Sequence, residues 1–373
     1  MRIAFMHRQL AGGGTEADLC RMASGLAARG HEVHVFCARA NAEPLPGVTV
    51  RRVPVLRTGR LARLLSFAAA APRAVARERW DVVVGFGRTP HQDVVRVGGG
   101  THASYLARME AAGLRSRARG PYHRAILRLE ARMFGPGGHR RVLAVSTRVA
   151  DEVATDYGVP REGIAVVYNG VDLERFHPAR RLSLGTLTRQ SLGVAPGVRV
   201  CAAVGSGFHR KGFDLLLALW RQAPPPDTAL VLVGDDERLS AWMREAGQPP
   251  FAGRVVVAGR RDDVDAILAA ADVVCVPSRQ EAFGNVVLEA CAAGVPVVTS
   301  QRVGAAELLD GPLAELIVAD PEDLTALAAA LGRALGPGAP TFAAAARRCA
   351  EARPWPAHLD RVEALLQDVA SGG

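Results

Sequence analysis

Short apolar runs alternate with amphipathic stretches along the whole chain. In the first half, residues 2–7, 32–37, 81–86, 94–97, 142–145 and 164–167 read as strands, with helical stretches between them. Thr15 is placed to cap a helix reaching Arg29, with Gly30 as its stop. The pattern then restarts. Residues 198–204 read as a strand, followed by a glycine-containing loop, a helix over 213–222, and strands at 229–233, 254–257, 272–276 and 295–299. Apolar strands this short, separated by helices, predict an α/β protein with parallel sheets. The polar stretch 176–197, which holds Pro178 and Pro196, reads as the linker and entry to a second domain. The expected division is therefore 1–175 and 176–355, with a last helix within 356–373 crossing back onto the first domain. Two Rossmann-like domains facing across a cleft are expected, with ligands at the strand C-termini.

Length supports two domains, at 373 residues. Apolar residues at 49% and charged residues at 22% exclude a disordered chain. No apolar run reaches 18 residues, so no membrane-spanning helix is expected. The N-terminus lacks the pattern of a signal peptide, because His7, Arg8 and a glycine run follow at once. Six scattered cysteines without a close pair argue against a zinc site or a disulfide framework, and fit a reducing cytosol.

Charge sharpens the picture. The net charge is +9, and of 46 basic residues only Lys211 is lysine. A pI near 9.9 raises nucleic-acid binding as a non-enzyme alternative, but aromatic interleaving and a recognisable binding module are absent from the sequence. Most of the surplus lies in one place. Residues 105–141 hold nine arginines against Glu110 and Glu130. Within them Tyr122, Ile126, Leu129 and Met133 share a helical face, while Arg124 and Arg128 point elsewhere. Together with Arg115, Arg117 and Arg119 they predict a basic amphipathic segment that docks on an anionic membrane surface.

Five motifs carry candidate chemistry. Ala11-Gly12-Gly13-Gly14-Thr15 follows the first strand, where glycines and a helix N-terminus favour an anion. Gly205-Ser206-Gly207-Phe208-His209-Arg210-Lys211-Gly212 lies between a strand and a helix. Its adjacent Arg and Lys can neutralise a diphosphate leaving group. Glu281 and Glu289 stand eight residues apart, about 12 Å if helical, too far for a glycosidase pair but suited to two ends of one extended ligand. Gly98-Gly99-Gly100-Thr101-His102 brings a histidine to a strand end. Asp262-Asp263-Val264-Asp265 contains the spacing of a metal-binding DxD, but its acids open a helix and are expected to cap it instead.

These motifs, with Val145-Ser146, Asn169-Gly170-Val171-Asp172, Phe176-His177-Pro178 and Gly294-Val295-Pro296-Val297-Val298, occur in the order found in glycosyltransferase family 4, of GT-B fold. The resemblance covers nearly the whole chain. Within the family it is most similar to the transferases that add glucose to lipopolysaccharide core heptose, through Gly205-Ser206, Phe208, Arg210-Lys211-Gly212, Asp214 and Gly259-Arg260 with Asp262 and Val264. It implies a retaining, metal-independent hexosyltransferase at the inner face of the plasma membrane. The donor would be a nucleotide sugar such as UDP-glucose, the acceptor a lipid-linked glycan, and no further cofactor would be needed. The family alternatives are another donor or acceptor (mannosyl, GlcNAc), or a sugar-nucleotide epimerase. The implied site is as follows: backbone N–H groups of Gly13 and Gly14, with Arg210 and Lys211, hold the diphosphate; Glu289 binds the ribose; Glu281 binds the sugar; Ala282, Phe283 and Gly284 offer backbone groups; Arg261 lies by the base. Arg175 joins the donor site, Asp18 lies near the acceptor, and His102 touches the transferred sugar.

Overall fold

The computed structural model describes residues 1–10, 13–40, 45–111 and 120–372. They form two compact units, 1–168 with 357–373, and 169–356. The chain thus changes unit after Tyr168 and again after Pro356, rather than at 175 and 355.

The first unit is built on a seven-stranded sheet of order β5-β3-β1-β6-β7-β8-β9. Its strands are β1 (Arg2–Met6), β3 (Glu32–Cys37), β5 (Val48–Arg52), β6 (Val82–Gly85), β7 (Val94–Val97), β8 (Arg141–Ala144) and β9 (Ile164–Val166), all paired in parallel. Two short pieces, β2 (Gln9–Leu10) and β4 (Arg39–Ala40), pair with each other. The central strand β1 is apolar on both faces, and Ile3, Ala4, Phe5 and Met6 are fully buried, as a strand covered by helices on both sides requires. β5 was not expected. Its Val-Thr-Val-Arg-Arg run is largely exposed at the sheet edge, so burial leaves little mark on its sequence.

The helix Gly14–Ala28 starts one residue before Thr15. Its cap position is Gly13, without a side-chain cap. It packs against the C-terminal helix Trp355–Ala370, and Gly25 permits the approach: a Cβ there would lie 2.5 Å from Leu359 Cδ1. Arg29 bridges Asp360 at 2.7 Å and Glu363 at 2.6 Å.

The basic amphipathic segment is placed differently from the expectation. The part that carries its apolar stripe is the helix Pro121–Phe134, whose Ile126, Leu129 and Met133 are buried. Ile126 and Leu129 pack on Leu64 and Ala68 of the helix Gly59–Val75, joined by Tyr122. The unit's own core therefore covers the apolar face assigned to a membrane, while Arg124 and Arg128 are exposed. Arg115, Arg117 and Arg119 lie outside the described residues. Among the described residues no helix is long and apolar enough to cross a membrane.

The second unit carries a six-stranded parallel sheet of order β12-β11-β10-β13-β14-β15. The strands are β10 (Arg199–Val204), β11 (Thr228–Val233), β12 (Val255–Gly259), β13 (Val273–Val276), β14 (Val297–Ser300) and β15 (Ile317–Val318). Phe208, Phe213, Trp220 and Phe251 anchor its core. The stretch 176–197, expected as linker and entry, lies within this unit and is folded. Residues Arg181–Gly185 and Thr186–Ser191 are helical. Arg181 and Arg189 hold Asp272 at 2.5 and 2.6 Å. Polarity there reflects ion pairs with the strand end, not solvation of a connector.

Candidate active site

In the second unit the predicted residues converge after β10 and β13. The loop after β10 returns on itself and is anchored by Phe208, fully buried against Phe213 at 4.5 Å between ring centroids. Two glycines let it fold tightly. Gly205 has φ +151°, and a Cβ on it would lie 2.6 Å from Lys211 Cε, so the lysine stem lies directly over the glycine. Gly212 has φ +74°, and a Cβ there would meet the Pro277 carbonyl oxygen at 2.2 Å. The helix Phe213–Gln222 begins there. Arg279 ties the loop down by donating to Asp214 at 2.7 and 2.8 Å and to Glu322 at 2.6 Å.

Glu281 meets this loop from the other side. Its carboxylate lies 2.5 Å from Lys211 Nζ and 2.7 Å from Arg210 Nη1. Lys211 is buried, whereas Arg210 is half exposed and also donates to the Gln280 and Ser206 carbonyls. Burial alone would raise the Glu281 pKa, but Lys211 and Arg210 outweigh it and hold the carboxyl below its usual range. Glu281 is thus an ionised acceptor between two cations. Its backbone is held as well, donating to the Arg302 carbonyl and accepting from Gly304 N–H. Phe283 is buried, and Gly284, at φ +92°, caps the helix Asn285–Ala292 that carries Glu289. Glu289 is half-buried on that helix, beside buried Leu288 and Ala290.

Arg175 and Arg261 are occupied. Arg175 donates to Asp265 at 3.3 Å and to the Asp262 carbonyl. Arg261 makes a two-toothed pair with Asp263 at 2.8 and 2.6 Å. Asp263 occupies the cap position of the helix Val264–Ala270 without a side-chain cap. The acids of this stretch therefore serve arginines rather than the cap that the sequence predicted. No group of three or more His, Cys, Asp or Glu side chains positioned for a metal occurs among the described residues.

In the first unit a cavity of about 260 Å³ opens at the C-terminal ends of β1, β6 and β7. This is where ligands enter parallel sheets. Arg8, Glu16, Arg88, Arg96 and Glu130 line it, with Phe67, Phe86 and Tyr122 on its apolar side. Asp18 does not line the cavity; its carboxylate pairs with Arg96 at 3.1 Å, both side chains buried. Arg96 lies over the Phe86 ring at 4.8 Å. Asp18 thus acts on the cavity through Arg96.

His102 is also buried. Its Nε2 lies 3.0 Å from His123 Nδ1, and its ring lies near-parallel to those of His123 and Tyr105 at 5.1 and 5.5 Å between centroids. Burial, then the charge of Arg88 and the neighbouring His123, push its pKa down to about 4, so the ring is neutral at pH 7. Its backbone N–H donates to Glu130. Glu130 was not singled out by the sequence. It is nearly fully buried and accepts also from Arg88 at 2.9 Å and from the Tyr157 hydroxyl at 2.6 Å. A second missed group is Asn169, which donates to Asn285 Oδ1 at 2.7 Å and steadies the start of the Glu289 helix. The sequence marked it only as part of a family motif, with no partner assigned.

Residues 12–175 match the family described as Glycosyltransferase Family 4, and residues 198–336 match the one described as Glycosyl transferases group 1. Between them the two matches cover most of the chain, which thus carries a family 4 glycosyltransferase domain followed by a group 1 glycosyltransferase domain. It is 26% identical over 341 residues to the lipopolysaccharide glucosyltransferase WaaG of Escherichia coli K12, covering 90% of each chain. The crystal structure of WaaG, a glycosyltransferase involved in lipopolysaccharide biosynthesis, matches with TM-score 0.85 at 25% identity over 100% of both chains, so the architecture is GT-B. Anabaena HepE in complex with UDP and glucose shares the fold, with TM-score 0.76 at 21% identity, covering 98% of this chain and 99% of that one.

Proposed function

We propose that this glycosyltransferase moves glucose from UDP-glucose, with retention and without a metal ion, to a lipid-linked glycan such as lipopolysaccharide inner-core heptose. The observation that carries this reading is the cluster of Lys211, Arg210 and Glu281 at the head of the helix Phe213–Gln222. Lys211 and Arg210 supply two cations at fixed positions for a diphosphate leaving group, and charge developing there is stabilised without reorganisation. Glu281, already paired with both, has little nucleophilic character and is suited to accept hydrogen bonds from sugar hydroxyls. Glu289 takes the ribose, and Arg261 and Arg175 flank the nucleotide. Ala282, Phe283 and Gly284 meet the sugar through their backbone. In the first unit, the backbone N–H groups of Gly13 and Gly14 at the helix start suit a substrate phosphate, and His102, neutral, suits a hydrogen bond to the sugar rather than a charge contact. The leaving phosphate takes the acceptor proton on the face it departs from, which accounts for retention. The choice of glucose and of a lipopolysaccharide acceptor follows the similarity to a lipopolysaccharide glucosyltransferase, and core heptose follows the motif resemblance alone.

A UDP-release screen over several nucleotide sugars, with and without deacylated lipopolysaccharide core, tests this. UDP-glucose with core is expected to release UDP fastest. Equal release without any acceptor would favour an epimerase or hydrolase, and salt-dependent DNA binding with no response to any nucleotide sugar would overturn the enzyme reading.

A further inference from the structure

The first-unit cavity already contains an anion. Glu16, on the first turn of the helix Gly14–Ala28, folds back over the helix start, and a Cβ on Gly13 would lie 2.3 Å from its Oε2. Its Oε1 lies 3.5 Å from His7 Nε2. The His7 contact lowers its pKa most. Burial opposes this, and the backbone N–H groups of Glu16 and Gly13 add to the lowering. The carboxylate therefore sits where a helix N-terminus attracts negative charge.

The rest of the wall is rich in arginine. Arg8, Arg88 and Arg96 all border the same space, and the Arg96 side chain is 1% exposed. The charges facing them are accounted for. Asp18 pairs with Arg96 from behind the wall. Glu130 is taken by Arg88, the His102 N–H and the Tyr157 hydroxyl. Glu16 is the remaining carboxylate that lines the cavity, held by a histidine and by backbone groups rather than by an arginine.

We propose that this cavity is a phosphate site of the first unit and that Glu16 is its internal competitor: a substrate phosphate binds at the helix start only when the Glu16 carboxylate swings off it. Two anions cannot share these N–H groups, so Glu16 sets the affinity for the phosphate and favours release of a phosphate-bearing product. The phosphate could belong to the nucleotide or to a phosphorylated acceptor glycan, which the same chemistry recognises. The inference rests on the assignment of Gly13 and Gly14 to a substrate phosphate.

Calorimetric titrations of wild type and Glu16→Gln would use UDP in one arm, and phosphorylated and dephosphorylated core oligosaccharide in the other. Glutamine keeps the size and an acceptor oxygen but removes the charge. The variant is expected to bind about fivefold tighter in the arm whose phosphate enters the site, the size of a single anion at a helix start. A gain with UDP assigns the nucleotide. A gain only with phosphorylated core assigns the acceptor. Unchanged or weaker binding in both arms by a folded variant would overturn the proposal. Amide hydrogen exchange over residues 13–17 separates the two levels. Protection by either ligand together with unchanged Glu16→Gln affinity sinks only the competitor. No protection by either ligand sinks the phosphate assignment beneath it as well.

Discussion

Lys211→Ala is expected to lower kcat/KM about 10²–10³-fold while the chain stays folded, the usual magnitude for removing one preorganised group from a developing charge. Glu281→Ala is expected to fall by a similar factor, chiefly in kcat, because it removes the proposed sugar contact and leaves Lys211 and Arg210 without their shared carboxylate. Lys211→Arg discriminates more sharply. If charge alone mattered, arginine would suffice. The lysine stem, however, packs tightly over Gly205, where a Cβ would be 2.6 Å from Cε, and its compact ammonium meets Glu281 at 2.5 Å, a placement that the longer, planar guanidinium does not reproduce. Lys211→Arg should lose nearly as much as Lys211→Ala. Steady-state UDP release, with circular dichroism to confirm folding, decides this. Near-normal turnover by Lys211→Arg would show that the buried point charge is not the feature required.

Asp18→Ala should be the most destabilising change at the candidate sites. It strips Arg96 of its carboxylate in a setting where the two side chains are 1% and 7% exposed. Removing one partner of a buried pair costs roughly 3–5 kcal/mol, mostly from the charge left behind. Asp18→Asn, which can still accept from Arg96, should lose less. Adding Arg96→Met to Asp18→Ala should recover part of the loss, since the stranded charge is then gone. Urea unfolding of the three variants measures it, and a stability for Asp18→Ala equal to wild type would show that the pair does not hold the first unit together.

The architecture was largely legible because both sheets are parallel and covered on both faces, so their inner strands are mostly apolar, with buried exceptions such as His34 and Arg96. The strand Glu32–Cys37 and the helix Phe213–Gln222 fall on their expected bounds. Elements whose signal is not burial were missed. The edge strand Val48–Arg52 is largely exposed, and Ile317–Val318 is two residues long. The misread stretch 176–197 follows the same logic, since Arg181 and Arg189 are polar but bound to Asp272. At the candidate site, what one segment carries was visible: Arg210-Lys211 on its loop, Glu281 before its helix. What two distant segments make together was not. The Asp18–Arg96 pair spans 78 positions, and Glu130 looked like one acid in an arginine-rich helix although it gathers Arg88, His102 and Tyr157. The apolar stripe from Tyr122 to Met133 was visible, but the neighbour that covers it, the helix Gly59–Val75, lies far off in sequence.

The most direct test of the central claim is proton NMR of the anomeric region while UDP-[¹³C]glucose and deacylated core are turned over. An α-linked glucosyl product appearing in step with UDP, and abolished by Glu281→Ala, is the predicted result. A β-linked product, or free glucose with no glycan product, would contradict it.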